Sequence, residues 1–127
     1  MSSQSNSKLL THACNTLLAN KKIRYVCIID KMGKLVFEKQ QDGIDLLIPD
    51  GKSRSLYMKS VLQVSLQKEF DKQVGILMYN ISHRTNIDMI SIPIFGYVVL
   101  ISVNPHENCD AIANSAIKIF EEILKKT

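Results

Sequence analysis

The spacing of hydrophobic residues changes several times along the chain, and each spacing predicts one type of element. Steps of three and four residues, typical of amphipathic helices, occur over residues 8–20, from residue 53 or 55 to 72, and from residue 104 onward. Alternating or continuous apolar runs, typical of strands, occur over residues 23–30, 34–39, 74–82, 86–92 and 97–103. The predicted order is helix, two strands, helix, three strands, helix.

The last predicted strand, residues 97–103, is an almost continuous apolar run. Such runs are typical of central strands that are covered on both faces. Three helices cannot then share one face of the sheet. The pattern therefore predicts a three-layer α/β sandwich with a five-stranded antiparallel sheet. The second helix covers one face, and the first and last helices cover the other.

Capping chemistry marks the expected start of the last helix. We expect Asn104 as the N-cap, Pro105 at the first helical position and Glu107 in a capping box. Proline is harmless at this point because the first N–H groups of a helix have no partner inside it.

The second helix carries two apolar stripes, and a single sheet requires only one of them. We expect the wider stripe to cover the sheet: Met58, Val61, Leu62, Ser65, Leu66 and Phe70. A narrower strip consists of Tyr57, Val61 and Val64. This strip either widens the core-facing stripe or contacts another chain.

Two segments fall outside these elements. Residues 1–7 are polar and lack the apolar core of a signal peptide, so we expect a loose tail ahead of a single domain over residues 8–127. Residues 40–52 form a long connection that nevertheless contains Ile44, Leu46, Leu47 and Ile48. These apolar residues either lie over the sheet edge or form a docking surface.

Composition is that of an ordinary globular protein. Of the 127 residues, 46% are hydrophobic and 22% are charged, and the longest apolar runs are too short to span a membrane. The net charge of +4 indicates a solvated surface rather than a dedicated nucleic-acid site.

Cys14, Cys27 and Cys109 are too far apart for a C-x-x-C metal pair and lie among apolar residues. We expect buried thiols in a reducing compartment and a cytoplasmic protein.

No arrangement of residue types predicts catalysis. His12, His83 and His106 lie far apart and have no carboxylate at metal-site or catalytic spacing, so we expect surface histidines. The serines of the second helix lack a nucleophile elbow, and the sequence contains no phosphate loop. We therefore expect no enzymatic activity, no cofactor and no resident metal.

A small basic patch would form if several loops converge. Its members would be Arg54, His83 and Arg84 beside Lys31 and Lys34, with Phe95 and Tyr97 nearby. Such a patch could bind RNA or a phosphate group. Aromatic residues make up only 6% of the chain and are not interleaved with the basic ones, so nucleic-acid binding is a minor alternative.

The order of elements resembles the profilin-like fold, and the local details resemble the roadblock/dynein light-chain group. In the segment CIIDKMGKLVF a strand ends at Asp30, Gly33 follows in the turn and a hydrophobic strand returns, which is similar to the first hairpin of that group. The segment RSLYMKSVLQVSLQKEFD resembles small archaeal proteins of unknown function that are placed near the same fold. In the order of elements the resemblance covers nearly the whole chain.

This resemblance implies a function as well as a fold. Roadblock-type proteins are mostly homodimeric or heterodimeric platforms that regulate or anchor Ras-like GTPases, motors or membrane-associated assemblies, without catalytic residues. It implies the sheet order second, first, fifth, fourth, third strand, with the third strand at an edge. It also implies a non-enzymatic homodimeric scaffold or regulator, with a small Ras-like GTPase as the expected partner. The alternatives are a small-molecule-sensing module and a weak nucleic-acid-binding protein.

The residues themselves also favour a dimer. Residues 74–81 are apolar on both faces and carry no charge or proline that would protect a strand edge. We expect a dimer interface formed by Tyr57, Val61, Val64, Val74, Ile76, Met78 and Asn80. We expect a partner protein to dock across the second helix at Lys59, Gln63, Gln67, Lys68, Leu46 and Leu47.

Overall fold

The computed structural model describes residues 3–44 and 50–125, with side chains at all of these except 3–6, 50, 51 and 53. The elements are α1 (Ser3–Leu18), β1 (Ile23–Ile29), β2 (Leu35–Gln40), α2 (Asp50–Lys68), α3 (Asp71–Val74), β3 (Asn80–His83), β4 (Asp88–Ile94), β5 (Tyr97–Val103) and α4 (Cys109–Lys125). Apart from the short α3, this is the predicted order.

The strands form one antiparallel sheet, and its topology is the expected one. The order is β2-β1-β5-β4-β3, so β5 pairs with β1 on one side and β4 on the other. Every residue of β5 except Tyr97 is buried. The prediction that the last strand is central is therefore confirmed.

Helices cover both faces of the sheet, which confirms the three-layer arrangement. On one face, α1 and α4 contribute Leu10, Leu17 and Phe120 to a core that includes Ile101. On the other face, α2 packs through Tyr57, Val61 and Val64. The thiols of Cys14 and Cys109 lie in the first core and that of Cys27 in the second, so all three are buried as expected.

The starts of all three predicted helices differ from the prediction. Helix α2 begins at Asp50 instead of residue 53 or 55. Helix α1 begins at Ser3, so it includes residues that were expected to form a loose tail. Helix α4 begins at Cys109, and its N-cap is Asn108, whose Oδ1 accepts a hydrogen bond from the Ala111 amide at 3.0 Å. Asn104 is not a cap, because its Oδ1 accepts a hydrogen bond from the Arg24 guanidinium at 3.0 Å. His106 has a φ of +72°, which turns the chain before the helix starts.

The predicted long third strand is wrong over most of its length. The chain leaves α2 at Lys68, forms α3 and enters β3 only at Asn80. The register pairs Asn80 with Ser91, so its continuation would place Met78 opposite Pro93. Proline has no N–H to donate to a ladder, which is consistent with pairing that ends at Asn80.

Asp30 and Gly33 close the hairpin between β1 and β2, as the sequence predicted. The Asp30 Oδ1 accepts hydrogen bonds from the amides of Met32 and Lys34 at 2.9 and 3.0 Å. Gly33 has a φ of +80°, which glycine adopts without strain. A Cβ at this position would overlap the sulfur of Met58 on α2. The turn therefore needs glycine for its backbone, and a larger residue would in addition displace the half-exposed Met58 side chain.

Replacing Gly33 with alanine should lower the free energy of unfolding by about 1–3 kcal/mol, because the backbone is left-handed and Met58 must move. Urea unfolding measures the loss. Gly43→Ala is a matched control, since its φ is +75° and no described atom lies within 4 Å of an added Cβ. It should show the backbone part of the loss alone. Equal losses in the two variants would contradict a close fit between Gly33 and Met58.

Candidate functional site

The outward face of α2 carries a row of apolar side chains. Met58, Leu62 and Leu66 recur every four residues, and Phe70 follows just after the helix. A step of four residues keeps side chains on one side of a helix. Their exposed fractions are 50%, 57%, 52% and 58%. We call these four residues the α2 stripe.

Exposed apolar residues continue from the α2 stripe towards the edge of the sheet. Val74, Ile76 and Met78 are 82%, 80% and 58% exposed, and β3 follows as the outermost strand. Ile76 lines a groove of about 310 Å³ together with Val61 and Val64 of α2, which places this segment beside the helix. We call Val74, Ile76 and Met78 the edge segment. All three residues belong to the predicted dimer interface, and their exposed side chains are accessible to a second chain.

The two stripes of α2 are reversed relative to the prediction. Tyr57, Val61 and Val64 are only 7%, 9% and 3% exposed and pack against the sheet of their own chain. These three residues of the predicted dimer interface therefore leave little surface for a second chain to contact. The wider stripe, which was expected to cover the sheet, instead leaves Met58, Leu62, Leu66 and Phe70 exposed.

Hydrogen bonds explain why Tyr57 faces the sheet. Its hydroxyl lies 2.8 Å from the hydroxyl of Tyr25 on β1 and donates to the Glu38 carboxylate on β2 at 3.3 Å. A buried tyrosine needs a partner for its hydroxyl, and these two strands supply it. Burial and the neighbouring Cys27, Glu38 and Tyr57 raise the pKa of Tyr25 above its usual range, so its hydroxyl stays protonated.

The structure describes most of the predicted partner surface and the last residue of the predicted dimer interface. Lys59, Gln63, Gln67 and Lys68 are exposed, as a partner surface requires, and the first three each follow a residue of the α2 stripe. They therefore lie along the flank of that stripe. Leu46 and Leu47 lie outside the described residues. Asn80 is half-buried at the start of β3, and its Nδ2 has no hydrogen-bond partner within the described part of the chain.

A second feature brings together the ends of three elements. His83 is the last residue of β3, Asp88 the first of β4 and Cys109 the first of α4. The Asp88 Oδ2 lies 3.2 Å from the Nδ1 of His83 and accepts a hydrogen bond from the Cys109 Sγ at 3.5 Å. Asp88 and Cys109 are buried, whereas the His83 side chain is 69% exposed. We call these residues the His83 cluster.

The electrostatics of the His83 cluster do not suit nucleophilic catalysis. Burial alone would raise the pKa of Asp88, but hydrogen bonds from His83, the Arg84 amide and Cys109 outweigh it and lower that pKa. Burial and the Asp88 carboxylate raise the pKa of Cys109 to about 11. A reactive cysteine needs a lowered pKa and an adjacent base. In a catalytic triad the histidine lies between the nucleophile and the carboxylate. Here the Asp88 carboxylate lies between the Cys109 thiol and the His83 imidazole.

Sequence reasoning missed the His83 cluster. The sequence predicts a surface histidine with no carboxylate at metal-site or catalytic spacing. The His83 side chain is indeed exposed, but the Asp88 carboxylate lies beside it. His12 and His106 are exposed, as expected. A signal was present, because the register of the β3–β4 hairpin pairs His83 directly with Asp88. A correctly bounded third strand would have shown this pairing.

The basic patch considered from the sequence is not assembled. The side chain of Lys31 lies beside Gly96, in the turn between β4 and β5, so that a Cβ added to Gly96 would be 3.5 Å from the Lys31 Cε. His83 and Arg84 lie at the opposite end of β4, beside Asp88. The length of a strand therefore separates these basic residues.

Comparison with known proteins identifies the family. The model of a family of unknown function, DUF6659, matches residues 3–126. The chain belongs to this family. No curated protein matches it. Among the described residues, no helix combines the length and the apolarity needed to cross a membrane.

Several solved structures are similar over nearly the whole chain. The gliding protein MglB from Thermus thermophilus has a TM-score of 0.73 at 10% identity, covering 94% of this chain and 91% of that chain. An MglB with a tetrameric arrangement has a TM-score of 0.68 at 10% identity, with coverages of 97% and 95%. The roadblock/LC7 domain from Streptomyces avermitilis has a TM-score of 0.67 at 5% identity, with coverages of 88% and 92%. The expected roadblock fold is therefore confirmed.

Asp88 should stabilise the fold in a pH-dependent way. The pKa of Asp88 is lower in the folded state than its ordinary value of 3.8. Its contribution to the free energy of unfolding is therefore fully present above about pH 3.8 and is lost as the pH falls through the folded-state pKa. Compared with the wild type, Asp88→Asn should be less stable at neutral pH and should lose less stability on acidification below about pH 4. Urea unfolding across pH measures this. Glu122→Gln, an exposed change on α4, should follow the wild type. Parallel pH profiles for Asp88→Asn and the wild type would contradict the assigned hydrogen bonds.

Proposed function

We propose that this protein is a non-enzymatic, homodimeric scaffold or regulatory platform for a partner protein in the cytoplasm. The observation that carries the proposal is the α2 stripe together with the edge segment, seven exposed apolar residues beside the sheet edge. Large apolar side chains at helical spacing favour contact with another surface, because such contact removes them from water. A second copy of the chain offers the same surface.

Two-fold symmetry suits this surface. In an isologous dimer the same patch contacts itself, so the α2 stripe of one chain would lie along that of the other. The edge segment leads into β3, which has a strand neighbour on one side only. An unpaired strand edge of this kind favours the addition of a further strand. The tetrameric arrangement of one similar MglB supports self-assembly on this fold.

The proposed partner surface follows from the proposed dimer. With two α2 helices side by side, Lys59, Gln63 and Gln67 would form a polar border around an apolar centre, as is usual for protein interfaces. Leu46 and Leu47, which precede α2 in the chain, belong to the same proposed surface. The opposite sheet face is already covered by α1 and α4. The resemblance to roadblock proteins favours a small Ras-like GTPase as the partner.

The chemistry of the cysteines supports a non-enzymatic role. Burial raises the pKa of Cys14 and of Cys27 to about 12, and burial with the Asp88 carboxylate raises that of Cys109 to about 11. These thiols are protonated at neutral pH and therefore poor nucleophiles. Three buried thiols also suit a reducing compartment, which favours the cytoplasm.

A groove beside α2 favours small-molecule sensing as a second candidate function. Its volume of about 310 Å³ is at the small end of the range for ligand sites, about 300–1,000 Å³. Apolar residues of α2 and β5 line it together with Lys31 and Lys68. These lysines would suit a small anionic ligand.

Replacing both Leu62 and Leu66 with glutamate should convert the dimer into a folded monomer. Like charges would face each other across the two-fold axis, while the single chain already exposes both positions. Light scattering at micromolar concentration gives the mass, and circular dichroism reports the fold. Val36→Glu is the matched control, because Val36 is 44% exposed on β2 at the opposite sheet edge, and this variant should remain a dimer.

A further variant separates the two stripes of α2. Val64 is only 3% exposed, so Val64→Glu should unfold the chain instead of releasing a monomer, because a buried carboxylate without a partner is strongly unfavourable. A folded, monomeric Val64→Glu would mean that the narrower strip is the interface. A wild-type mass of one chain would overturn the dimer.

Combined replacement of Lys59, Gln63 and Gln67 by alanine should weaken partner binding by at least about tenfold, or about 1.4 kcal/mol, without changing the mass. Surface plasmon resonance against small Ras-like GTPases of the same organism measures this. The matched control replaces Ser115, Lys118 and Glu122, which are exposed on α4, and should bind normally. Nucleic-acid binding with a steep linear dependence on log salt, and no binding of a GTPase, would refute the platform.

A further inference from the structure

The geometry points to the His83 cluster as a binding site for a divalent transition metal, with Zn²⁺ as the best fit. The three potential ligand atoms, His83 Nδ1, Asp88 Oδ2 and Cys109 Sγ, lie within 4.8 Å of one another. This inference goes beyond the proposed platform function and is independent of it. It also departs from the expectation, based on sequence alone, that no metal is resident.

Two of the three distances between the ligand atoms match tetrahedral coordination. Bonds of about 2.0–2.1 Å from zinc to nitrogen, about 2.0–2.2 Å to oxygen and about 2.3 Å to sulfur are usual. Tetrahedral angles then place nitrogen and oxygen about 3.3 Å apart, and oxygen and sulfur about 3.5 Å apart. The structure has 3.2 Å between His83 Nδ1 and Asp88 Oδ2 and 3.5 Å between Asp88 Oδ2 and Cys109 Sγ. The remaining pair, His83 Nδ1 and Cys109 Sγ, lies within 4.8 Å, whereas tetrahedral angles place nitrogen and sulfur about 3.5 Å apart. An ion could therefore bind if the exposed His83 side chain moves towards Cys109.

The donor set selects the kind of metal. Calcium and magnesium bind through oxygen ligands, whereas imidazole and thiolate donors favour zinc and its neighbours. One nitrogen, one oxygen and one sulfur make a mixed set that suits a borderline-soft ion. Three protein ligands leave the fourth tetrahedral position to a water molecule.

The surroundings of the cluster orient its ligands. The Arg84 amide donates a hydrogen bond to Asp88 Oδ1 at 3.2 Å, which holds the carboxylate with Oδ2 towards the other two donors. Such outer hydrogen bonds fix the orientation of metal ligands. The exposed His83 gives an ion a path from solvent, while buried Asp88 and Cys109 form the floor of the site.

Metal binding replaces a proton at Cys109. The S–H bond breaks, the proton passes to the solvent buffer, and the sulfur binds the ion as a thiolate. At His83 the proton that Nδ1 shares with Asp88 passes to the solvent, while Nε2 keeps or takes up one proton, so the neutral imidazole binds the ion through the lone pair of Nδ1. The carboxylate is already ionised. No electron transfer is involved. The bound ion would tie the β3–β4 hairpin to the start of α4.

Titration of the metal-free, full-length protein with zinc chloride by calorimetry tests the site. We expect about one equivalent per chain at micromolar affinity or tighter, and no binding of magnesium. Cobalt should give a thiolate charge-transfer band, which reports the Cys109 bond directly. His83→Ala changes an exposed side chain, so it should fold and should bind zinc at least about 100-fold more weakly.

Two matched variants separate this site from other donors. His106→Ala removes another exposed histidine and should bind zinc like the wild type. Cys109→Ser should lose the cobalt charge-transfer band, whereas Cys14→Ser should keep it. If a cysteine variant does not fold, the wild-type band and the His83→Ala affinity still decide the matter. Absence of zinc binding by the wild type, or equal affinities for His83→Ala and His106→Ala, would overturn the inference.

Discussion

Burial of the central strands on both faces is the constraint on which the rest of the structure depends. β1, β5 and β4 are apolar at almost every position, so helices must cover both sides of the sheet. The two faces are unequal. The face under α1 and α4 is rich in isoleucine and valine, whereas Ser91 and Ser102 alternate with those residues and point to the α2 side. One face is thus covered by two helices and the other mainly by α2.

The unequal coverage explains the composition of α2. This helix contacts the sheet through a narrow strip, and the hydroxyl of Tyr57 is held there by Tyr25 and Glu38. A helix needs only about a third of its surface for such a contact. Met58, Leu62 and Leu66 lie on the outward side and remain at least half exposed in the single chain. Fold and proposed assembly therefore follow from the same feature, a helix with more apolar surface than its own sheet can bury.

The His83 cluster follows from the register of the sheet. β4 pairs with β5 so that Asp88 lies opposite Val103, the last residue of β5. A turn of a few residues then leads to Cys109 at the start of α4, which brings its thiol back to Asp88. The β3–β4 hairpin places His83 on the other side of the same carboxylate. Two residues of one hairpin and a third residue 21 positions after Asp88 meet because three elements end at one place.

By itself, the sequence determined the order of the elements apart from the short α3, the central position of β5 and the turn at Asp30 and Gly33. These features depend on the periodicity of apolar residues and on local hydrogen bonds, and both involve residues that are close together in the sequence. Only the tertiary structure decided which stripe of α2 faces the sheet, where β3 begins and which groups surround His83. Periodicity shows that a face is apolar but not what it packs against. The orientation of α2 depends on hydroxyl partners of Tyr57 that lie 32 and 19 residues away. The surroundings of His83 depend on the Cys109 thiol, which lies 21 residues from the Asp88 carboxylate.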